Sequence, residues 1–185
     1  MKSSKGVITI KETTTSKEVL YEGKIINVEL HKIINHVGTE GVREVVKHPG
    51  AVVILPITSE GYIYLARQFR KPIEKELLEL PAGKLDDNEP PVECAIRELK
   101  EELNLEASNW TYLTSVYTSP GFTDEKMFFY AAKDLTICEG KADDDEIIEM
   151  EKIHYDELLD KILQGEIEDG KTVLAVTFYS SLKNK

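Results

Sequence analysis

The sequence predicts a layered domain of the α/β or α+β kind with a small strand-rich appendage at its start. Three observations predict it. Short β-branched and aromatic runs with turn punctuation fill the first two thirds of the chain, the stretch from Pro90 to Leu103 switches to a helical period, and two more helical stripes follow near the end. With 185 residues, 41% of them hydrophobic and 31% charged, the chain can bury one sizeable core, and its composition excludes a disordered, collagen-like or disulfide-stapled protein.

From Val7 to His36 the apolar residues come in short runs such as Val19-Leu20-Tyr21 and Lys24-Ile25-Ile26-Asn27-Val28, broken by Gly23, Gly38 and Gly41. This pattern reads as strands joined by turns, a small antiparallel sheet. It holds too little apolar mass to fold alone and must pack on the rest of the chain or on a second copy. An appendage over residues 1–42 is therefore expected ahead of a main domain over 43–185.

Between Val42 and Leu135 the runs Val45-Val46, Ala51 to Ile57, Tyr62 to Phe69, Leu77 to Leu80, Trp110 to Tyr117 and Met127 to Ala132 read mostly as strands of a mixed sheet. Thr58-Ser59-Glu60-Gly61 is short enough for a hairpin turn. Val92, Ala95, Ile96, Leu99 and Leu103 share a helix face at spacings of three and four, and Pro90 or Pro91 suits that helix's first turn, where a missing N–H costs little. Helices are also expected from about Tyr155 to Gln164, ended by Gly165, and from about Thr172 to Leu182, with an Ile147-Ile148 strand before them.

The chain carries 34 acidic against 23 basic residues, a net charge of −11. Such a charge repels phosphate backbones and anionic lipid, so neither nucleic acid nor membrane is an expected partner. Two cysteines, Cys94 and Cys138, cannot make a metal quartet and suit a reducing compartment. Met1 to Lys11 lacks the apolar core of a signal peptide and no run of about 20 apolar residues occurs, so the expected address is cytoplasmic.

The chemistry gathers on the polar side of the Pro90–Leu103 helix. Glu98 faces Glu101 and Glu102 at i,i+3 and i,i+4. Each like-charge pair weakens an isolated helix by roughly 0.2–0.5 kcal/mol, part of which Arg97 can offset through Glu93 and Glu101. From spacing alone two readings stand: a solvated acidic face, or a site for a hard divalent cation, which takes carboxylate, carbonyl and water oxygens without His or Cys.

The residues around the cluster extend the pattern: Glu79-Leu80-Pro81-Ala82-Gly83-Lys84-Leu85, then Glu89, then Arg97-Glu98-Leu99-Lys100-Glu101-Glu102-Leu103-Asn104-Leu105. This resembles the Nudix box, whose pattern is Gly, five residues, Glu, seven residues, Arg-Glu, an aliphatic, any residue, Glu-Glu, any residue, Gly and an aliphatic. Gly83, Glu89, Arg97, Glu98, Leu99, Glu101, Glu102 and Leu105 fall at the required spacing. The one departure is Asn104 in place of Gly, and Asn also tolerates a left-handed cap. Gly83 is expected to let the backbone turn closely and leave a carbonyl facing the site.

The resemblance implies an α/β fold, the Nudix α/β/α sandwich with a mixed sheet. It also implies Mg²⁺, with Mn²⁺ as a substitute, held by the Ala82 carbonyl, Glu98 and Glu102. Glu101 would assist as a ligand or one step removed, Arg97 would orient the acids and Glu89 would support the loop. Such cations let an acidic protein accept an anionic substrate.

Specificity is carried elsewhere. Ser119-Pro120-Gly121-Phe122 follows the box with Pro120 fifteen residues after Leu105, a placement similar to that in the Nudix subgroup that hydrolyses ADP-ribose. Pro-Gly also favours a plain type II turn. Arg43-Glu44 and Gln68-Phe69-Arg70-Lys71-Pro72 resemble the same subgroup, which implies that Arg43, Glu44, Arg70 and Gly121 meet the substrate. Arg suits bidentate phosphate recognition, while the plainer reading is surface charge at strand ends.

In Ala142-Asp143-Asp144-Asp145-Glu146 the resemblance selects Glu146 as general base, with Asp144 and Glu149 as rivals; a solvated acidic loop is the plain alternative. His31, His36, His48 and His154 show no catalytic spacing, Trp110 reads as core or interface, and Cys94 reads as a buried thiol. The expectation is thus a Mg²⁺-dependent hydrolase that splits ADP-ribose into AMP and ribose 5-phosphate, a homodimer through the 1–42 appendage. Another nucleoside diphosphate derivative is the alternative substrate. A non-catalytic ligand sensor is disfavoured because every acidic box position is filled.

Overall fold

The structure is a computed structural model and describes residues 10–140 and 148–183. The chain forms two compact units, Met1–Pro49 with Tyr117–Glu125, and Gly50–Val116 with Lys126–Lys185.

The first unit is an antiparallel sheet in the order β1 (Glu12–Glu22), β2 (Asn27–Asn35), β3 (Glu40–Lys47). Its β2–β3 turn is set by Asn35, whose side-chain oxygen accepts the Val37 and Thr39 amides at 3.1 and 2.9 Å, and by Gly38 at φ 87°. Irregularities between Thr14 and Ser16 and between Val19 and Tyr21 break the β1 ladder, which increases local twist. Every residue of β1 is exposed, and Ile33 is the one buried apolar residue of the unit among those described. The segment after Tyr117 docks on β3: the Val46 amide donates to the Phe122 carbonyl at 2.8 Å and the Asp124 amide to the Val46 carbonyl at 3.2 Å.

The Ser119–Phe122 turn differs from the type II turn that Pro-Gly alone favours. Gly121 does not adopt positive φ, and the Ser119 carbonyl accepts both the Phe122 and the Thr123 amides, at 3.1 Å each. The second bond winds the segment as a helical turn and leaves no need for the left-handed glycine of type II.

The second unit holds β4 (Ala51–Pro56), β5 (Tyr62–Arg70), β6 (Lys75–Glu79), β7 (Ala82–Lys84), α1 (Pro91–Leu103), β8 (Leu105–Tyr117), β9 (Lys126–Ile137), β10 (Glu149–His154), α2 (Tyr155–Leu163) and α3 (Gly170–Lys183). One sheet runs β7-β4-β9-β8, with β4 parallel to β9, and the other β10-β5-β6. All six residues of β4 are buried, and strand alternation shares them between two clusters. Val53 and Leu55 join Leu158, Ala175 and Val176 of α2 and α3, while Val52 and Ile54 join Cys94, Ala95 and Leu99 of α1. Helices therefore cover both faces of β4, an α/β/α sandwich, and each fully buried aliphatic side chain contributes roughly 1.5–3 kcal/mol.

Three local expectations are corrected. Thr58–Gly61 does turn tightly, with Gly61 at φ 86° and the Thr58 amide bonded to the Tyr62 carbonyl at 2.8 Å. The strands it joins nevertheless enter different sheets after one Ile57–Ile63 bridge, because β7 and β9 already occupy both edges of β4. On α1 the buried set is Cys94, Ala95, Leu99 and Leu103, and Val92 and Ile96 lie exposed at its rim. Ile148 precedes β10 instead of lying in a strand, and Ile147 lies outside the described residues. Pro90 caps α1 and Pro91 is its first helical residue. Among the described residues no helix is long and apolar enough to cross a membrane.

Candidate active site

The box residues converge where β7 faces α1. Pairing with β4 fixes the Ala82–Lys84 backbone, and the Pro81 carbonyl accepts the Ile54 amide at 2.9 Å. The Ala82 amide donates to Glu102 Oε2 at 3.2 Å. Gly83 is needed for space and not for a tight turn, since its φ is not positive. A Cβ built on Gly83 would stand 1.8 Å from the Glu98 carboxyl carbon, so the missing side chain is the cradle that admits Glu98. One short strand thus meets two helical glutamates a turn apart.

Arg97 organises the remaining acids. It grips Glu89 with Nε and Nη2 at 3.0 and 2.9 Å, donates from Nη1 to Glu98 Oε1 at 2.7 Å and Glu101 Oε2 at 2.9 Å, and reaches the Lys84 carbonyl at 3.2 Å. The charge offset expected from Glu93 comes from Glu89 instead. Hydrogen bonds from Arg97 lead in lowering the Glu89 carboxyl to about 2, against partial desolvation and with help from the Asp86 amide. The same bonds raise Arg97 well above the usual guanidinium range. Burial pushes the Cys94 thiol far up, and its Sγ donates to the Lys84 carbonyl at 3.3 Å, an inert packing role.

Among the described residues no three His, Cys, Asp or Glu side chains group closely enough to hold an ion by themselves. The expected donor set contains only two side chains, Glu98 and Glu102, with a backbone carbonyl as the third. All are hard oxygens beside a glycine-wide cradle, which fits a hard divalent cation.

A second charged group adjoins the loop and was not singled out from sequence. Glu79, wholly buried at the end of β6, accepts Arg70 Nε at 2.8 Å and Nη2 at 2.7 Å and pairs with Lys171 of α3. Burial works to raise the Glu79 carboxyl, but bonds from Arg70 and the charge and bond of Lys171 outweigh it, and its pKa ends below the ordinary value. An acid inside Leu77-Leu78-Glu79-Leu80 gives one sequence signal, a charge in an apolar run, without naming its partners.

The structure places Ala82, Glu98, Glu101, Glu102, Arg97 and Arg70 in the second unit, and Arg43, Glu44 and Gly121 in the first. Arg43 donates to Glu12 at 3.1 Å from Nε and to the Val42 carbonyl at 2.9 Å. Glu146 and its rival Asp144 lie outside the described residues, and Glu149 is exposed on β10 opposite Arg67. Asn104 caps α1 at φ 53°, as its left-handed tolerance predicts, and its Oδ1 accepts the Gly140 amide at 2.8 Å. His154 caps α2, His31 bonds Glu29 at 2.6 Å, and Trp110 donates to the Ala107 carbonyl at 3.0 Å, all structural contacts.

The family model described as NUDIX domain matches residues 47–176. The chain is 39% identical over 172 residues to an ADP-ribose pyrophosphatase of Bacillus subtilis (strain 168), covering 92% of this chain and 93% of the relative. It is also 39% identical over 180 residues to a methanol dehydrogenase activator of Bacillus methanolicus, covering 95% and 97%. A crystal structure of an ADP compounds hydrolase superposes with a TM-score of 0.83 at 24% identity, over 93% of this chain and 94% of that one. A box whose glutamates meet the Ala82–Gly83 strand, in a chain matched over this length, makes the protein a member of the Nudix family and a pyrophosphohydrolase.

Proposed function

We propose that the protein hydrolyses the diphosphate bond of ADP-ribose, giving AMP and ribose 5-phosphate, with Mg²⁺ as its cation and Mn²⁺ as a substitute. The observation that carries this reading is the meeting of Glu98 and Glu102 with Ala82 and Gly83, and the 39% identity to an ADP-ribose pyrophosphatase supports the substrate. The Ala82 carbonyl, Glu98 and Glu102 would hold the cation, which when bound neutralises diphosphate oxygens and makes water a better nucleophile. Arg97 holds Glu98 and Glu101 in place, so the acids meet the substrate already oriented. Arg70 supplies positive charge to the diphosphate; Arg43, Glu44 and the Gly121 turn bind the rest of the substrate. Glu146 takes the proton from the attacking water.

The reading also takes the first unit as a dimerisation surface, supported by its nearly coreless sheet, and the cytoplasm as its address. A second reading, another nucleoside diphosphate derivative such as a sugar nucleotide or dinucleotide, is favoured by the 33% identity over 166 residues to a GDP-mannose pyrophosphatase of Yersinia enterocolitica, covering 81% of this chain and 86% of that one. Incubation with Mg²⁺ and a panel of ADP-ribose, sugar nucleotides and dinucleotides, with the products identified by mass, tests both. AMP and ribose 5-phosphate from ADP-ribose are expected, with turnover reduced by orders of magnitude in Glu102→Gln. A faster sugar nucleotide or dinucleotide selects the second reading, and binding without turnover refutes both.

A further inference from the structure

We propose that Glu79 and Lys171 are positioning residues that aim Arg70 at the diphosphate, which makes the first turn of α3 part of the binding machinery. The proposal rests on the reading of Arg70 as a phosphate contact.

Arg70 ends β5, and its side chain is 39% exposed. A long side chain at such a site sweeps several rotamers unless something holds it. Glu79 holds it through two parallel bonds, a geometry that fixes the plane of the guanidinium as well as its place. Those bonds use Nε and Nη2, and Nη1 makes no hydrogen bond among the described residues, so that edge can meet an anion. The charge of Glu102 also acts on Arg70, which sets the guanidinium within electrostatic range of the box acids.

Glu79 in turn is fixed from the other side. Its side chain is 2% exposed, and Lys171, itself 10% exposed, pairs with it and donates to Asp169 at 3.1 Å. Asp169 accepts the Thr172 amide at 3.0 Å and the Thr172 hydroxyl at 2.5 Å, while Thr172 Oγ1 accepts the Leu80 amide at 2.8 Å. The first turn of α3 therefore clamps Glu79 and Leu80, immediately ahead of the Pro81-Ala82-Gly83 loop. Two cations and two acids balance, so the network carries no net charge. Apolar residues of similar volume would serve packing at least as well as a buried ion pair. What they would not supply is an oriented guanidinium.

The test is a double-mutant cycle on ADP-ribose hydrolysis with Glu79→Gln, Arg70→Met and both together, followed by KM, kcat and the melting temperature. Glu79→Gln is expected to raise KM roughly tenfold with a much smaller change in kcat, and to add nothing once Arg70 is Met. Because Glu79→Gln leaves the network with one excess positive charge beside the buried Lys171, Glu79→Gln with Lys171→Met removes acid and cation together, and this charge-balanced pair is expected to show the same rise. An Arg70→Met enzyme with unchanged KM, or a wild-type protein without ADP-ribose turnover, overturns the parent reading and the proposal with it. A KM raised by Arg70→Met but unmoved by Glu79→Gln/Lys171→Met overturns the positioning role alone, as does an effect of Glu79→Gln that persists in full beside Arg70→Met.

Discussion

The unit built around β4 and the unit built from β1 to β3 are both rich in strands, yet they differ in what they bury. In the former, β4 is buried on both faces and helices close each side. In the latter, Ile33 alone is buried among the described residues, and Val19, Leu20, Tyr21, Ile25 and Val42 stay more than half exposed. The first can hold a set of charged side chains to a fixed geometry because its backbone has no freedom to follow them. The second carries Arg43 and Glu44, proposed as substrate contacts, on a sheet with little core, which makes it a surface in need of cover.

The sharpest way to break this contrast is to disturb the rigid unit where it is tightest. Gly83→Ala places a methyl group on the Glu98 carboxylate and is expected to lower kcat on the order of a hundredfold or more while circular dichroism stays native. Normal turnover in that variant would show that Glu98 need not sit against Gly83.

Removing the anchor of Arg97 comes next. Glu89→Gln is expected to cost about 1.5–3 kcal/mol in denaturant unfolding and to lower activity through Glu98 and Glu101. The Glu89 pKa is depressed from 4.5 to about 2, so its contribution is complete above the unfolded value and drains away as pH falls through the folded one. The stability gap between wild type and variant should narrow from pH 4.5 towards 2. A gap constant over that window would deny Glu89 its ionic role.

A third test acts on the other unit. If the proposed dimer forms through this sheet, Leu20→Lys with Val42→Lys is expected to give a monomer by light scattering, with the unfolding of the β4 unit little changed. A monomeric wild type would refute dimerisation through this sheet. The smallest effect is expected at Asn104→Gly, which loses the bond to Gly140 but relieves a left-handed non-glycine residue. The two changes offset within about 1 kcal/mol, and a loss of several kcal/mol would reveal a larger role for that cap.

Much of the rigid unit is legible in the sequence because its signals are local. Apolar period marks α1 and α2, a largely apolar run marks α3, Gly165 at φ 77° marks the end of α2, and box spacing brings Glu98, Glu101, Glu102 and Arg97 onto one helical side. Partner choice is not local. Nothing near Thr58–Gly61 says that β4 already has two neighbours, and nothing near Arg97 says that Glu89 and not Glu93 will grip it. Glu79 is hardest to see: an acid among leucines reads as the wet side of a strand until a lysine 92 positions away, on α3, is known to meet it. The role of Gly83 is hidden from sequence for the same reason, since its constraint comes from a carboxylate on α1 and not from its own dihedrals.

The most direct measurement is Mn²⁺ binding followed by electron paramagnetic resonance in the wild-type protein and in Glu98→Gln/Glu102→Gln, both checked for native folding. The wild type is expected to bind the ion, with affinity reduced roughly a hundredfold or more in the double variant. Equal affinity in the two proteins would contradict the assignment of Glu98 and Glu102 as the cation's ligands.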